Sequence, residues 1–119
     1  MPRKTNNIIT IQDSPSVKTN DPYESLVKSI KIDKKKNALK IECMNLEACQ
    51  YGRLHTIILP LPACPGNPAC LFLEACGIDS CEVDKQINLD TLIGNKIFIT
   101  FLDTKTAPFD HKSVMFSKA

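Results

Sequence analysis

The stretch from Asn67 to Leu102 constrains the fold most strongly, because it carries a helix signal between two extended segments. Asn67 is typical of a helix N-cap, where its side chain accepts a hydrogen bond from a first-turn N–H. Pro68 suits the first helical position because it has no N–H to leave unbonded. Apolar residues follow at helical spacing, and Gly77 suits the left-handed conformation that ends a helix. We therefore predict one short helix between Asn67 and Gly77.

This helix is followed by a turn and a strand. After a polar connection, Thr91–Asn95 is typical of a tight turn. Lys96–Leu102 is the strongest strand candidate in the chain, since it is rich in β-branched and aromatic residues. A helix that bridges two β regions must cover whatever the strands enclose, and Phe72 and Leu73 are the bulkiest members of the run Ala69, Cys70, Phe72, Leu73 and Cys76. We predict that through these two residues the helix plugs one end of the barrel that the strands form.

Three segments before the helix have the properties of strands. Residues 26–32 and 39–43 alternate apolar and polar side chains, and the polar loop Asp33–Asn37 between them favours a hairpin. A helix over Glu24–Ile30 is the alternative for the first segment, because its apolar residues also fit a helical face. Arg53–Leu61 is the third strand, and prolines at its end stop the pairing.

The two ends of the chain differ in character. Residues 1–21 are polar and contain prolines, which predicts a flexible N-terminal arm with a short edge strand at Ile8–Ile11. Residues 22–119 form the single folded domain, in which residues 103–110 are a loop and His111–Phe116 is a fifth strand. Five strands with one helix between the third and the fourth predict a mainly β protein, a five-stranded OB-fold-like barrel.

Two segments of this domain resemble one protein family. Residues 28–62, which begin KSIKIDKKKNALKIEC, and residues 69–101, with a helix ending in Gly-Ile and the turn D-x-L-I-G-x-K, are similar to small phage-encoded proteins. The resemblance implies an OB-fold, single-stranded-DNA-binding-like accessory protein of a phage or mobile element, acting in replication or recombination. The chain departs from the family's pattern in its cysteines and in its last loop, where residues 105–109 replace a glycine-rich tip.

Composition and hydropathy restrict the class of protein. The chain is 43% apolar and 24% charged, as ordinary globular domains are. No run approaches the roughly 18 apolar residues of a membrane span. The basic N-terminus has only a broken apolar patch in place of the apolar region of a signal peptide. We therefore expect a cytoplasmic protein that does not enter a membrane.

The chain also contains six cysteines, namely Cys43, Cys49, Cys64, Cys70, Cys76 and Cys81. A metal site usually needs close pairs such as C-x2-C, which are absent, and disulfides need an oxidising compartment. We expect reduced thiols that behave as small apolar side chains, and no cofactor. A metal or iron–sulfur site and disulfide bonds are the alternatives.

Residue types that carry catalysis do not converge in this sequence. The only histidines are His55 and His111, and nothing nearby marks His55 and Cys49 as an activated pair; His55 is expected on the polar face of the third strand. The four glycines stand alone at turns, so no phosphate-binding loop is present. We expect a protein without enzymatic activity.

Positive charge is concentrated in the first half of the chain. The net charge is +2, but residues 1–55 carry ten Lys and Arg against six Asp and Glu, and the lysines cluster between positions 28 and 40. In an OB-fold, ligands lie across the second and third strands and between two flanking loops. This placement predicts the nucleic-acid-binding residues Lys34, Lys35, Lys36, Lys40, Tyr51, Arg53, His55, Lys105 and Phe109.

A protein can bind single strands irrespective of their sequence when its cations contact the phosphates and its aromatic rings stack on the bases. We therefore predict a single-stranded nucleic acid as partner, with replication or recombination proteins and further copies of the chain as additional partners. One alternative is a protein-interaction module whose barrel face binds a replication or host protein. Others are a small metal-binding regulator, and lysines that only solvate a surface.

Overall fold

Six strands in one sheet and one α-helix make up the fold, in the part of the chain that the computed structural model describes: residues 7–12, 18–78, 82–102, 109–110 and 112–119. The strands are β1 (Pro22–Asp33), β2 (Ala38–Asn45), β3 (Leu54–Pro60), β4 (Lys96–Phe101), β5 (Phe109–Asp110) and β6 (Val114–Lys118). The helix α1 is Pro68–Ala75, and short 3-10 helices span Ala48–Gln50 and Leu89–Leu92.

The strands lie in the order β5-β3-β2-β1-β4-β6, and neighbours are antiparallel except for β3 and β5. Those two are parallel and pair only briefly, Ile57 with Phe109 and Ile58 with Asp110. β5 and β6 stand at opposite ends of this order, so the sheet of the described residues is not closed into a barrel. The predicted mainly β fold with a helix between the third and fourth strands is confirmed, and the five-stranded OB-fold-like barrel stays a prediction.

β1 is the longest strand, and it pairs along both edges. Residues 22–26 pair with β4, and residues 25–33 pair with β2. The register with β2 shifts between Val27 and Ser29, and a bulge of this kind bends a strand and increases its twist. The alternative of a helix over Glu24–Ile30 is therefore wrong, because the backbone groups of this segment are used in pairing with two neighbouring strands.

The ends of α1 are fixed by the residues that predicted them. The Asn67 side chain accepts a hydrogen bond from the Cys70 N–H at 3.3 Å, and Gly77 takes the left-handed conformation with a φ of 104°. The Asn95 side-chain amide donates to the Cys76 carbonyl at 2.8 Å, which ties the end of the helix to the turn before β4. The predicted helix between Asn67 and Gly77 is confirmed.

The hydrophobic core lies between α1 and the inner side chains of the strands. Phe72 is fully buried, and its ring meets that of Phe116 edge-on at a centroid distance of 5.3 Å. Leu73 is buried beside it, in one cluster with the inner residues of β1 to β4. Both helix residues therefore cover inner side chains of the strands, and that they plug one end of a barrel stays a prediction.

Three boundaries differ from the prediction. The last strand starts at Val114 instead of His111, because residues 112–113 form a turn. β5 lies at the end of the segment predicted as a loop, whose residues 103–108 are outside the described part. Residues 7–12 have no regular secondary structure, so the predicted edge strand at Ile8–Ile11 is wrong: no neighbouring strand pairs with it in the described part. The flexible arm over residues 1–21 stays a prediction.

We expect Phe72→Ala to lower the free energy of unfolding by about 3–5 kcal/mol, because a fully buried ring leaves a cavity that its neighbours fill only in part. Leu71→Ala is the matched control, since Leu71 is the preceding helix residue and is half exposed; it should cost under about 1 kcal/mol. Urea denaturation followed by circular dichroism measures both losses. Equal losses in the two variants would mean that α1 is peripheral to the core.

Candidate nucleic-acid interface

Strands β1, β2 and β3 turn one set of side chains to the core and the other to solvent. Side chains alternate along a strand, and residues paired across strands point the same way. Lys31, Lys40 and Ile58 are paired in this manner near the hairpin that joins β1 to β2. We call the surface formed by the solvent-facing side chains of these three strands the outer face.

Two of the cations on the outer face are direct neighbours. Lys31 and Lys40 are paired across β1 and β2, and both side chains are exposed. Like charges at paired positions repel each other and destabilise a sheet. Glu42, two residues further along β2, is half-buried on the same face and offsets part of this repulsion. An anionic ligand that lies across the two strands would therefore be bound favourably.

The hairpin loop after β1 extends this positive surface. Lys34, Lys35 and Lys36 are all exposed. The Asp33 carboxylate accepts hydrogen bonds from the backbone N–H groups of Lys35 at 3.0 Å and Lys36 at 3.2 Å, so it shapes the loop backbone. Asn37 closes the turn with a φ of 51°, and its amide donates to the Leu61 carbonyl. The loop backbone is thus held in place while the lysine side chains project into solvent.

Tyr51 and Arg53 lie at the other end of β2 and β3. Tyr51 is 68% exposed in the turn before β3. The Arg53 guanidinium donates to the side-chain oxygen of the buried Gln50 at 3.0 Å, which holds it at the edge of the outer face. The length of β2 separates these residues from the hairpin lysines by about 24 Å, at roughly 3.4 Å per residue. The predicted residues therefore form two clusters, and Lys40 belongs to the hairpin cluster.

His55 does not lie on the outer face, and the prediction that it occupies the polar face of the third strand is wrong. Its side chain is 3% exposed, and its ring lies against that of Phe101 at a centroid distance of 4.9 Å. Burial, and secondarily the charge of Arg53, lowers the pKa of His55 to about 4. The imidazole is therefore neutral at pH 7 and adds no charge to the interface.

The second predicted loop is described only in part. Lys105 lies outside the described residues, and for Phe109 the structure describes the backbone in β5 and not the side chain. The backbone position of Phe109 beside Ile57 brings this part of the chain next to β3. A contribution of Lys105 and Phe109 to binding stays a prediction.

Sequence reasoning missed an apolar component of this surface. Leu26, Met44 and Leu54 form a cross-strand row on the outer face, and Leu54 is 50% exposed. Phe98 is half-buried on the solvent side of β4, between the fully buried Ile97 and Ile99. Alternation along KIFITF could have assigned Phe98 to the solvent side, where its ring is available for stacking.

The cysteines lie apart from this surface. Cys43, Cys70 and Cys76 are buried and reduced, and Cys64 is exposed and reduced. Burial raises the pKa of Cys76 to about 12, and burial together with the nearby Cys76 and Glu42 does the same for Cys43. Within the described residues, no group of three or more His, Cys, Asp or Glu side chains could hold a metal ion. The thiols of Cys43 and Cys76 are therefore protonated apolar groups of the core.

Comparison with known proteins adds no functional evidence. No protein family, curated protein or solved structure matches the chain significantly. The resemblance to small phage proteins thus stays a hypothesis. No helix in the described ranges is long and apolar enough to cross a membrane.

The buried His55 predicts a specific pH dependence of stability. Because its folded pKa is below the ordinary value of 6.5, the unfolded chain takes up a proton that the folded protein resists. The loss of stability should be absent above pH 6.5 and should grow as the pH falls toward 4, reaching on the order of 3 kcal/mol. His55→Phe keeps a ring against Phe101 and should flatten this part of the curve. Chemical denaturation at a series of pH values measures the free energy of unfolding of both proteins. If this free energy falls equally with pH in the two proteins, the lowered pKa of His55 is contradicted.

Proposed function

We propose that the protein binds single-stranded DNA along the outer face of β1–β3, as a non-enzymatic accessory factor in the replication or recombination of a phage or mobile element. The observation that carries the proposal is the pairing of Lys31 with Lys40, next to the three exposed lysines of the hairpin loop. Five cations at one end of a strand surface suit a polyanion, and phosphate contacts dominate the affinity of such binding.

The proposal includes an OB-fold-like barrel. β5 and β6 stand at the two ends of the sheet order, yet only residues 111–113 separate them in the chain. In the proposed barrel they are two halves of one bent fifth strand, the first beside β3 and the second beside β4. The helix between the third and fourth strands also agrees with this fold, whose ligands lie across strands two and three.

The single strand would follow the length of β2 and β3. Its phosphates pair with the hairpin lysines and with Lys31 and Lys40, and each contact releases a bound counterion. At the far end, the exposed ring of Tyr51 stacks on a base, and Phe98 offers a second apolar surface. The roughly 24 Å between the two clusters suits several nucleotides, in keeping with sites of about 4–16 nucleotides for OB-folds.

Changing Lys34, Lys35 and Lys36 together to Ala tests the phosphate contacts. The slope of log affinity against log salt should fall by about 2, taking ~0.7 for each phosphate contact on a single strand. The affinity should weaken about equally for every base composition, because these contacts do not read bases. Fluorescence anisotropy with labelled oligo-dT across a salt series measures the slope.

The control changes Lys18 and Lys85 to Ala, because both lysines are exposed and lie outside β1, β2 and β3. The slope of log affinity against log salt of this control should equal that of the unmodified protein. A hairpin variant with both slope and affinity intact would leave the lysines as a solvated loop and would contradict the proposed function.

Tyr51→Ala tests the stacking contact separately. We expect binding to weaken by about 1–3 kcal/mol, because a ring stacked on a base contributes that much, while the salt slope stays the same. Tyr51→Phe is the control, since it keeps the ring and should retain the affinity. If the alanine variant binds as tightly as the unmodified protein, the far end of the surface does not hold a base.

A second candidate function is supported by the row Leu26, Met44 and Leu54. A partly exposed apolar row with the exposed Lys96 paired beside Leu26 suits a protein partner that has acidic side chains next to an apolar patch. The chain would then be a protein-interaction module of the same replication or recombination machinery. An unchanged salt slope in the hairpin variant would favour this function.

A further inference from the structure

An apolar groove of about 770 Å³ lies between α1 and β6, away from the outer face. One wall is formed by Pro68, Leu71 and Ala75, which are three and four residues apart and so share one side of the helix. Leu71 is 50% exposed and Met115, on the opposite wall, is 58% exposed. The volume is in the range of cavities that hold ligands, and its walls are mainly apolar.

The groove runs along the edge of the sheet. All five residues of β6, from Val114 to Lys118, line it. A groove that touched only one side of a strand would be lined by every second residue, because successive side chains point in opposite directions. β6 is also the terminal strand of the described sheet and pairs only with β4. The edge of β6 can therefore accept a further strand, as edge strands generally can.

The described part of the N-terminal segment has the composition of such a strand. Ile8, Ile9 and Ile11 are 80%, 85% and 89% exposed. Residues 7–12, NIITIQ, carry no charge and are rich in β-branched side chains, which favour extended pairing. In an extended conformation Ile9 and Ile11 point to one side, so both can enter an apolar groove at once. Exposure of these three apolar side chains to water costs free energy, which their burial would remove.

The point where the arm leaves the domain is close to the groove. The Asn20 N–H donates to the Phe101 carbonyl at 2.8 Å, and the next residue, Leu102, belongs to the groove wall. The seven Cα–Cα steps from Lys18 back to Ile11 span up to about 25 Å when extended. Asn20 lies on the β1 side of β4, and β6 lies on the other side. The chain's own isoleucines are exposed, and therefore lie outside its own groove.

We propose that the Ile8–Ile11 segment of one copy adds as a strand to β6 of a second copy, with Ile9 and Ile11 against the α1 wall. The N–H and C=O groups on the edge of β6 would pair with the incoming backbone, and the groove would bury the isoleucines. A reciprocal exchange between two copies gives a closed pair with two-fold symmetry. The association needs no nucleic acid and is independent of the function of the outer face.

The full chain should form a dimer of twice its 13.2 kDa mass, and this dimer should dissociate on dilution. Sedimentation velocity without nucleic acid, over about a hundredfold range of concentration, measures the mass. Changing Ile9 and Ile11 to Asp should give a monomer at every concentration. Changing Ile32 and Val83 to Asp, two exposed apolar residues elsewhere, is the matched control and should leave the dimer in place.

A mixing experiment identifies the two halves of the contact. Leu71→Glu places a charge in the groove and should also give a monomer. An equimolar mixture of this variant with the Ile9→Asp, Ile11→Asp variant should recover dimers, because one protein keeps the arm and the other keeps the groove. Circular dichroism shows whether the Leu71→Glu variant folds. If this variant does not fold, a peptide of residues 5–13 replaces it in the mixing experiment and should bind to the Ile9→Asp, Ile11→Asp variant.

Three results would overturn the proposal. The first is an unmodified chain that stays monomeric, which leaves docking in its own groove or no docking at all. The second is a dimer that survives the change of Ile9 and Ile11. The third is a mixture of folded variants that stays monomeric, or a peptide that does not bind.

Discussion

The double pairing of β1 holds the molecule together, because β1 is the strand that joins β2 to β4 in the described sheet. The lysine surface belongs to the β1–β3 half and the apolar groove to the β4–β6 half. At the bulge, the Gly94 N–H donates to the Val27 carbonyl at 2.8 Å and the Val27 N–H donates to the Asn95 carbonyl at 2.9 Å. These bonds lock the turn before β4 onto the bulge and thereby fix how the two halves are oriented.

The elements with local signals were predictable from the sequence. Asn67, Pro68 and Gly77 define α1 because caps act through bonds to backbone groups a few residues away. The bulge in β1 and the pairing of β5 were not predictable, since both depend on partners distant in sequence. The sequence of β3 did not show which of its sides faces the core, because Leu54 and Ile58 make the outer side apolar as well. The pairing with β2 shows that His55 faces the core.

The candidate site was predictable where charge alone decided exposure. The hairpin lysines follow from their density, because three adjacent ammonium groups cannot be buried without partners. Lys31 entered the site only when the register placed it opposite Lys40. Phe98 was missed because an aromatic ring in an apolar strand is usually a core residue, although its alternation in phase with Lys96 and Thr100 assigns it to the solvent side. To predict the wide separation of Tyr51 from the hairpin lysines, the strand register was needed as well.

The pairing of Leu26 with Lys96 joins residues that are 70 positions apart, and this distance has a consequence for synthesis. Contacts between such distant residues form slowly, since a long loop must close first. On the ribosome, β1, β2 and β3 can pair as successive hairpins, while one edge of β1 waits for β4 to be translated. Until then this edge and the apolar inner side chains are open to other chains. The speed of translation between β3 and β4 thus becomes a determinant of soluble yield.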